Sequence, residues 1–397
     1  IPSFDSLGNY YGYVTHLCGY KMGKHEGKIT GLAAHGKPRY KPVLERFIRY
    51  EHGTMRNTGN AFRGAAVQKL KRALPGDFDK ADLSASIQDL SEEICSQYVA
   101  YWAKKTGKTK IALAGGVVAN VKINQRIHEI PGAESVFVFP AMSDEGLAAG
   151  AALLLCSDKR PGLAMAGKKC IDHVYLGPSF SDREIGDALS AAGVDYTHHD
   201  DVEGEIARLI NRGYVVARFH GAMEYGPRAL GNRSILYRPD DPSVNDWLNE
   251  RLKRTEFMPF APSTITEDAH LSFKNLPGAT DTARYMTITF DCTKEMAERC
   301  SGVVHVDNTA RPQLVARSDN ESYYRILTEF KWLTGLSSIV NTSFNIHEEP
   351  IVCTPQDAIR AFQIGHLDLL AIGPFLAKNA GADQRVQHVR PVAATND

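Results

Sequence analysis

The residues best able to do chemistry in this chain are arginines, hydroxyls and amides set among glycines. The densest stretch is GAMEYGPRALGNRS at residues 221–234, which interleaves Arg228 and Arg233 with Gly226 and Gly231. An arginine fork suits phosphate oxygens because two parallel N–H donors match two oxygens. Glycines let the backbone come close to a ligand. The same stretch could also be an exposed turn with solvated arginines. Further on, RLKRTEFMPFAPS (251–263) puts Lys253 and Arg254 ahead of an aromatic, proline-fixed strand. DNTARPQ (307–313) adds Arg311, and NTSFN (341–345) adds Ser343 and Asn345, side chains suited to phosphate and carbonyl oxygens. Any one of the last three could be a surface feature. Four such clusters between residues 171 and 397 point to one anion-binding pocket.

The first half carries a sparser signal. LAGGVVAN (113–120) sets Gly115 and Gly116 between a short apolar strand and a helix, where a phosphate could approach backbone N–H groups at the helix N-terminus. A plain tight turn explains the same residues. SDEG (143–146) places Asp144 at the next strand–helix junction, where a carboxylate can hold a metal ion or simply favour a helix start. Two GxxxxGK frames, at 31–37 and 162–168, lack the following Ser or Thr and do not follow a good strand, so they read as glycine-rich turns.

The elements that must position these residues have an α/β rhythm. Apolar spacing predicts a helix over 81–104, a strand over 110–113, a helix over 119–128, a strand over 135–139 and a helix over 144–155. Residues 159–169 are basic with Pro and Gly and read as a linker. After residue 173 a new unit begins, with helices over 181–192 and 203–212 and strands over 213–219, 284–290 and 337–341. A further helix covers 355–364, with Thr354 as N-cap and Pro355 at its first position. Residues 1–60, rich in Gly, Tyr, His and Lys, read as loop-like.

Composition bounds the functions. A 43% hydrophobic share is enough for a sizeable core. Forty-six basic and 46 acidic residues balance. That balance argues against a general nucleic-acid binder or an anionic-membrane binder, which usually need a basic surplus. Seven scattered cysteines with no CxxC pair argue against a disulfide framework and read as a reducing, cytoplasmic setting. No apolar run is long enough for a transmembrane helix.

The motifs together resemble the O-carbamoyltransferases of the NodU and tobramycin-carbamoylase type. The resemblance rests on HEGK (25–28) with GLAA (31–34), AGGV (114–117) with Asn120, SDEG, MEYGPRALGNRS (223–234), EFMPFAP (256–262), TARPQ (309–313), and NTSFN with Glu349-Pro350. It implies the C-terminal portion of an actin-like (ASKHA) domain over 1–165, a YrdC-like α/β domain over 171–380, and a tail over 381–397. It also implies an activity. Carbamoyl phosphate and ATP give carbamoyl-adenylate and pyrophosphate, and the carbamoyl group then passes to a hydroxyl of a small molecule or natural product.

Carried over residue by residue, Arg228, Lys253, Arg311, Ser343 and Asn345 would hold carbamoyl phosphate and the adenylate phosphates. Gly115, Gly116 and Asn120 would contact nucleotide, Arg233 and Arg254 are further cofactor-binding cations, and Asp144 would be a metal ligand. The implied cofactors are ATP with Mg2+, and an iron-type divalent metal in the complete actin-like domain. Departures are Met258 and Asn308, which stand where the family often has Arg and Gly, and the absence of an HxxxH motif: no two of the 14 histidines are four residues apart. The chain therefore reads as lacking about the first third of the family pattern. The missing N-terminal half or a homodimer mate is then the implied protein partner. Rival readings are a partner-dependent, non-catalytic subunit and a tRNA threonylcarbamoyl-adenylate synthase.

Overall fold

The computed structural model describes residues 2–160, 171–253, 260–346 and 348–386. Buried apolar side chains fall into two large groups with no residue in common, one drawn from residues 7–142 and one from residues 185–382. A small third group joins Val174, Leu230, Ala261, Tyr285 and Met286.

The first core forms around the 27-residue helix Lys80–Thr106, which Asp79 caps and Gly107 ends in the left-handed conformation. Its buried Leu83, Ile87, Leu90 and Ile94 recur at helical spacing. Residues 1–60 are not loop-like: they form helices Leu7–Leu17 and Glu26–Ala33 and a hairpin of β1 (Ile48–Glu51) and β2 (Thr54–Asn57). Leu7, Tyr10, Tyr11 and Val14 make one buried helical face. The tyrosine hydroxyls stay satisfied by donating to Asn57 Oδ1 at 2.6 Å and to Gln88 Oε1 at 2.7 Å. Glycine-rich composition hides this periodicity. β3 (Lys110–Leu113) and β4 (Ser135–Val138) pair in parallel, Lys110 against Ser135. The turn Gly116–Ala119 and helix Val121–His128 lie between them, and helix Leu147–Lys159 follows.

The second core lies on an eight-stranded mixed sheet. Its strands are β5 (Tyr196–His198), β6 (Val216–Phe219), β7 (Arg233–Tyr237), β8 (Ala261–Ile265), β11 (Gln313–Val315), β12 (Ser338–Ser343), β13 (Leu369–Ile372) and β14 (Phe375–Lys378). The order is β11-β8-β12-β7-β6-β13-β14-β5. Every residue of β6, β7, β8 and β13 is buried, as expected of strands covered on both faces. Helix Pro355–Ile364 forms as expected, with Thr354 and Asp357 in a capping box. Register then gathers the chemistry. Ser343 at the end of β12 pairs with Ser234 at the start of β7, and Asn341 pairs with Ala261 at the start of β8. Gln313 at the start of β11 pairs with Ser263. The connections holding Arg228, Arg311 and Asn345 therefore open at one end of the sheet.

The strand expected over 284–290 is mostly absent: only β9 (Phe290–Asp291) forms, paired with β10 (Thr309–Ala310). Met286 has φ +57°, which breaks the extended run. The groups that would bond a neighbouring strand instead bond helix Val121–His128. Asn124 Nδ2 donates to the Thr287 carbonyl at 2.7 Å, and the Thr289 N–H donates to the Val121 carbonyl at 3.3 Å. Most of the linker at 159–169, and residues 387–397 of the tail, lie outside the described residues.

Candidate functional site

The arginine-bearing loop is built around a buried carboxylate. Glu224 Oε1 accepts N–H bonds from Leu230 at 2.7 Å, Asn232 at 2.8 Å and Arg233 at 3.2 Å. This curls residues 224–233 into one turn. Gly231 has φ +111°, and a Cβ there would stand 2.4 Å from the Tyr323 ring, so only glycine fits. Arg218 of β6 braces the turn from below, donating to the Gly231 carbonyl at 2.7 Å and to Asn232 Oδ1 at 3.0 Å. Its cation, then burial, then Arg233 push the neighbouring His220 down to about 3, so that ring is neutral at physiological pH.

Arg228, on this turn, lines a cavity of about 300 Å³ together with Arg311, Ser343 and Asn345. Ser343 Oγ donates to Asn345 Oδ1 at 2.6 Å, and Asn345 Nδ2 donates to the Glu349 carbonyl at 2.7 Å, which fixes both side chains. Buried Gln313 ties the three contributing segments together. Its Nε2 donates to the Leu230 carbonyl at 2.8 Å, and its Oε1 accepts from Asn341 Nδ2 at 2.9 Å and Ser263 Oγ at 2.8 Å. Two arginines beside hydroxyls and amides make a site suited to a phosphorylated or carboxylated ligand with a carbonyl or amide end.

Two further cavities adjoin it. One, of about 590 Å³, is lined by Gly116, Asn120 and Ser143, and shares Arg228 with the first. Gly115 has φ +115° and its N–H donates to the Met142 carbonyl at 2.6 Å, which locks the glycine turn against the segment leading to Ser143. Asn120 is the N-cap of helix Val121–His128, its Oδ1 accepting from the N–H groups of Lys122 and Ile123, both at 3.2 Å. The other, of about 230 Å³, is lined by Lys122, Arg126, His305 and Asp307, and shares Arg311 with the first.

The sequence-predicted residues thus separate. Arg228, Arg311, Ser343 and Asn345 meet in one cavity, and Gly116 and Asn120 face its neighbour. Arg233 is not brought to either. It is fully buried, donates to the carbonyls of His220, Asn232, Pro178 and Gly221, and stacks 3.6 Å from the Phe219 ring centroid. Lys253 is exposed at the end of helix Val244–Arg251, outside the linings of these cavities. Arg254 lies outside the described residues. Asp144 is exposed at the start of a short 3-10 helix, and among the described residues no three His, Cys, Asp or Glu side chains group as metal ligands. Glu224, Gln313 and Asn341 went unassigned from sequence. Their one available signal is a polar residue inside a motif whose neighbours line the cavity.

Comparison with known proteins places this geometry in a family. Residues 1–153 match the carbamoyltransferase N-terminus and residues 207–379 match the carbamoyltransferase C-terminus. An uncharacterized protein of Methanocaldococcus jannaschii is 36% identical over 391 residues, covering 94% of this chain and 62% of its own length. Nodulation protein NolO of Bradyrhizobium diazoefficiens is 34% identical over 391 residues, covering 96% of this chain and 70% of its own length. Nodulation protein U of Rhizobium fredii is 33% identical over 242 residues, covering 61% of this chain and 39% of its own length. The chain thus spans less than two thirds of the first relative's length. With both family regions present and the NolO match running over nearly all of its residues, the chain belongs to the carbamoyltransferase family.

Proposed function

We propose that this chain forms carbamoyl-adenylate from carbamoyl phosphate and ATP and takes part in passing the carbamoyl group to a hydroxyl of a small molecule. The observation that carries this reading is the convergence of Arg228, Arg311, Ser343 and Asn345, from three separate segments, on one cavity. The arginine forks hold phosphate oxygens, while Ser343 and Asn345 meet the carbamoyl oxygen and amide. For the atoms to balance, water and carbamoyl phosphate give inorganic phosphate and carbamate. A carbamate oxygen then attacks the α-phosphorus of ATP, and pyrophosphate leaves with the electron pair of the broken P–O bond. Arg228 borders both the smaller cavity and the one lined by Gly116 and Asn120, which suits a ligand handed from one to the other.

In this reading residues 171–380 are the adenylate-forming, YrdC-like part and residues 1–165 the transfer, actin-like part. The two separate cores support it. Magnesium would arrive with ATP. The described residues around Asp144 do not fit a resident iron-type ion, because the exposed carboxylates of Asp144 and Glu145 are short of the three or more ligands such sites use.

The test is pyrophosphate release by the purified chain given ATP and carbamoyl phosphate together. Release that needs both compounds is the expected result. Folded chain that releases none above background overturns the reading.

A further inference from the structure

Helix Val121–His128 is the seam of the molecule. It follows the glycine turn of the first core, yet its side chains and carbonyls bond the second half along its whole length. Besides the Asn124–Thr287 and Val121–Thr289 bonds, Gln125 Nε2 donates to Asp291 Oδ1 at 3.0 Å. At its first turn Lys122 Nζ reaches Asp307 Oδ2 at 2.9 Å, with the Lys122 side chain only 13% exposed. Asp307 is four residues before Arg311, and its carboxylate shapes the turn that delivers that arginine. Asp307 Oδ1 accepts from the Thr309 N–H at 3.1 Å and from Thr309 Oγ1 at 2.6 Å, and lies 3.3 Å from His305 Nδ1. The turn is tight: Asn308 sits at φ +60°, and the His305 N–H donates back to the Thr309 carbonyl at 2.8 Å. Burial raises the Asp307 carboxyl, but His305, Lys122 and Thr309 outweigh it and hold the group well below the usual carboxylate range, so it stays charged.

We infer that Asp307 is a positioning residue for Arg311, and that Lys122 from the first half is the counter-charge that keeps it in place. Arg311 needs a fixed fork direction to hold a phosphate through two bonds, and a turn anchored at both ends supplies it. The anion cavity of the second half is then complete only when the first half is docked against it. Without Lys122, the Asp307 carboxylate is left in a partly dry site with one cation fewer. It would turn toward water or toward Arg311 itself, and either change spoils the fork.

This inference rests on the proposed carbamoyl phosphate cavity. The test uses the full chain as wild type, Lys122→Met and Lys122→Arg, with the KM for carbamoyl phosphate and kcat read from pyrophosphate release and folding checked by urea titration. A positioning role predicts a KM raised about tenfold in Lys122→Met, as expected for one weakened charge-assisted contact, with kcat changed much less. Lys122→Arg keeps the cation and recovers most of the loss. A merely structural role lowers the folded fraction, so it lowers apparent kcat at unchanged KM, and that result overturns the inference. So does wild-type KM in Lys122→Met, or failure of Lys122→Arg to recover it. A wild-type chain that neither binds carbamoyl phosphate nor releases pyrophosphate overturns the reading of the cavity, and this inference with it.

Discussion

At the scale of single residues, the site depends on side-chain shape as much as on charge. Arg228 and Arg311 line one cavity from opposite segments, and each is half-buried. Replacing either by lysine keeps the charge but swaps two parallel donors for a point charge. Losing one charge-assisted bond costs about 1.5–3 kcal/mol, or roughly 10- to 100-fold in affinity. Carbamoyl phosphate binding measured by calorimetry should therefore weaken by that factor in Arg228→Lys and in Arg311→Lys. Wild-type affinity in both variants would restore the reading of solvated surface arginines. The two types of arginine could not be told apart in the motif: Arg228 and Arg233 are five residues apart, yet Arg233 is buried against carbonyls and the Phe219 ring. Strand register decides this, since Arg233 is the first residue of β7 and Arg228 lies in the turn before it.

At the scale of elements, the cavity is lined by loops and strand ends, and the loop bearing Arg228 is held by a buried polar group. Glu224 is the clearest case, because three backbone N–H groups end on one oxygen. In Glu224→Ala those donors lose their acceptor, at about 1–3 kcal/mol for each group left unsatisfied. The expected loss is at least about 3 kcal/mol in urea denaturation, while Glu224→Gln, which keeps an acceptor oxygen, costs less. Equal stability of the alanine variant would mean that water reaches the loop and replaces the carboxylate. The helix ends follow the same logic with weaker terms. Thr354 and Asn120 cap their helices through their own oxygens. The Thr354 cap was legible in sequence because caps act over three or four residues, whereas the sequence pattern put the other helix start at Ala119 and left Asn120 unread as its cap. The expected strand over 284–290 failed for the opposite reason, since its bonding partner is a helix more than 160 residues away.

At the scale of the whole molecule, two cores meet along helix Val121–His128 and the arginine-lined cavity opens beside that seam. One surface stands out. Helix Leu147–Lys159 has no buried residue, and Leu147, Leu154 and Leu155 are 70%, 65% and 59% exposed. Clustered exposed leucines bind apolar probes. The chain should take up a fluorescent hydrophobic dye, and Leu154→Glu with Leu155→Glu should reduce that signal. Stability should change by no more than about 0.5 kcal/mol, since these side chains pack against little. Carbamoyl phosphate affinity should be unchanged, because the helix is absent from the lining of that cavity. An unchanged dye signal would place the apolar surface elsewhere. No described helix is long and apolar enough to cross a membrane.

The sequence by itself determined short-range features of this protein: glycine turns, the Thr354-capped helix Pro355–Ile364, most of the long helix Lys80–Thr106, and the motifs that place the chain among carbamoyltransferases. These depend on residues a few positions apart, so they survive reading along the chain. Tertiary structure decided which cations share a cavity, which arginine is scaffold, and which lysine crosses the seam to Asp307. Those outcomes turn on sheet order and register, in which β12 lies between β7 and β8 although about a hundred residues separate it from β7 in sequence. No local pattern encodes that pairing, because its free energy comes from burying both faces of the sheet at once.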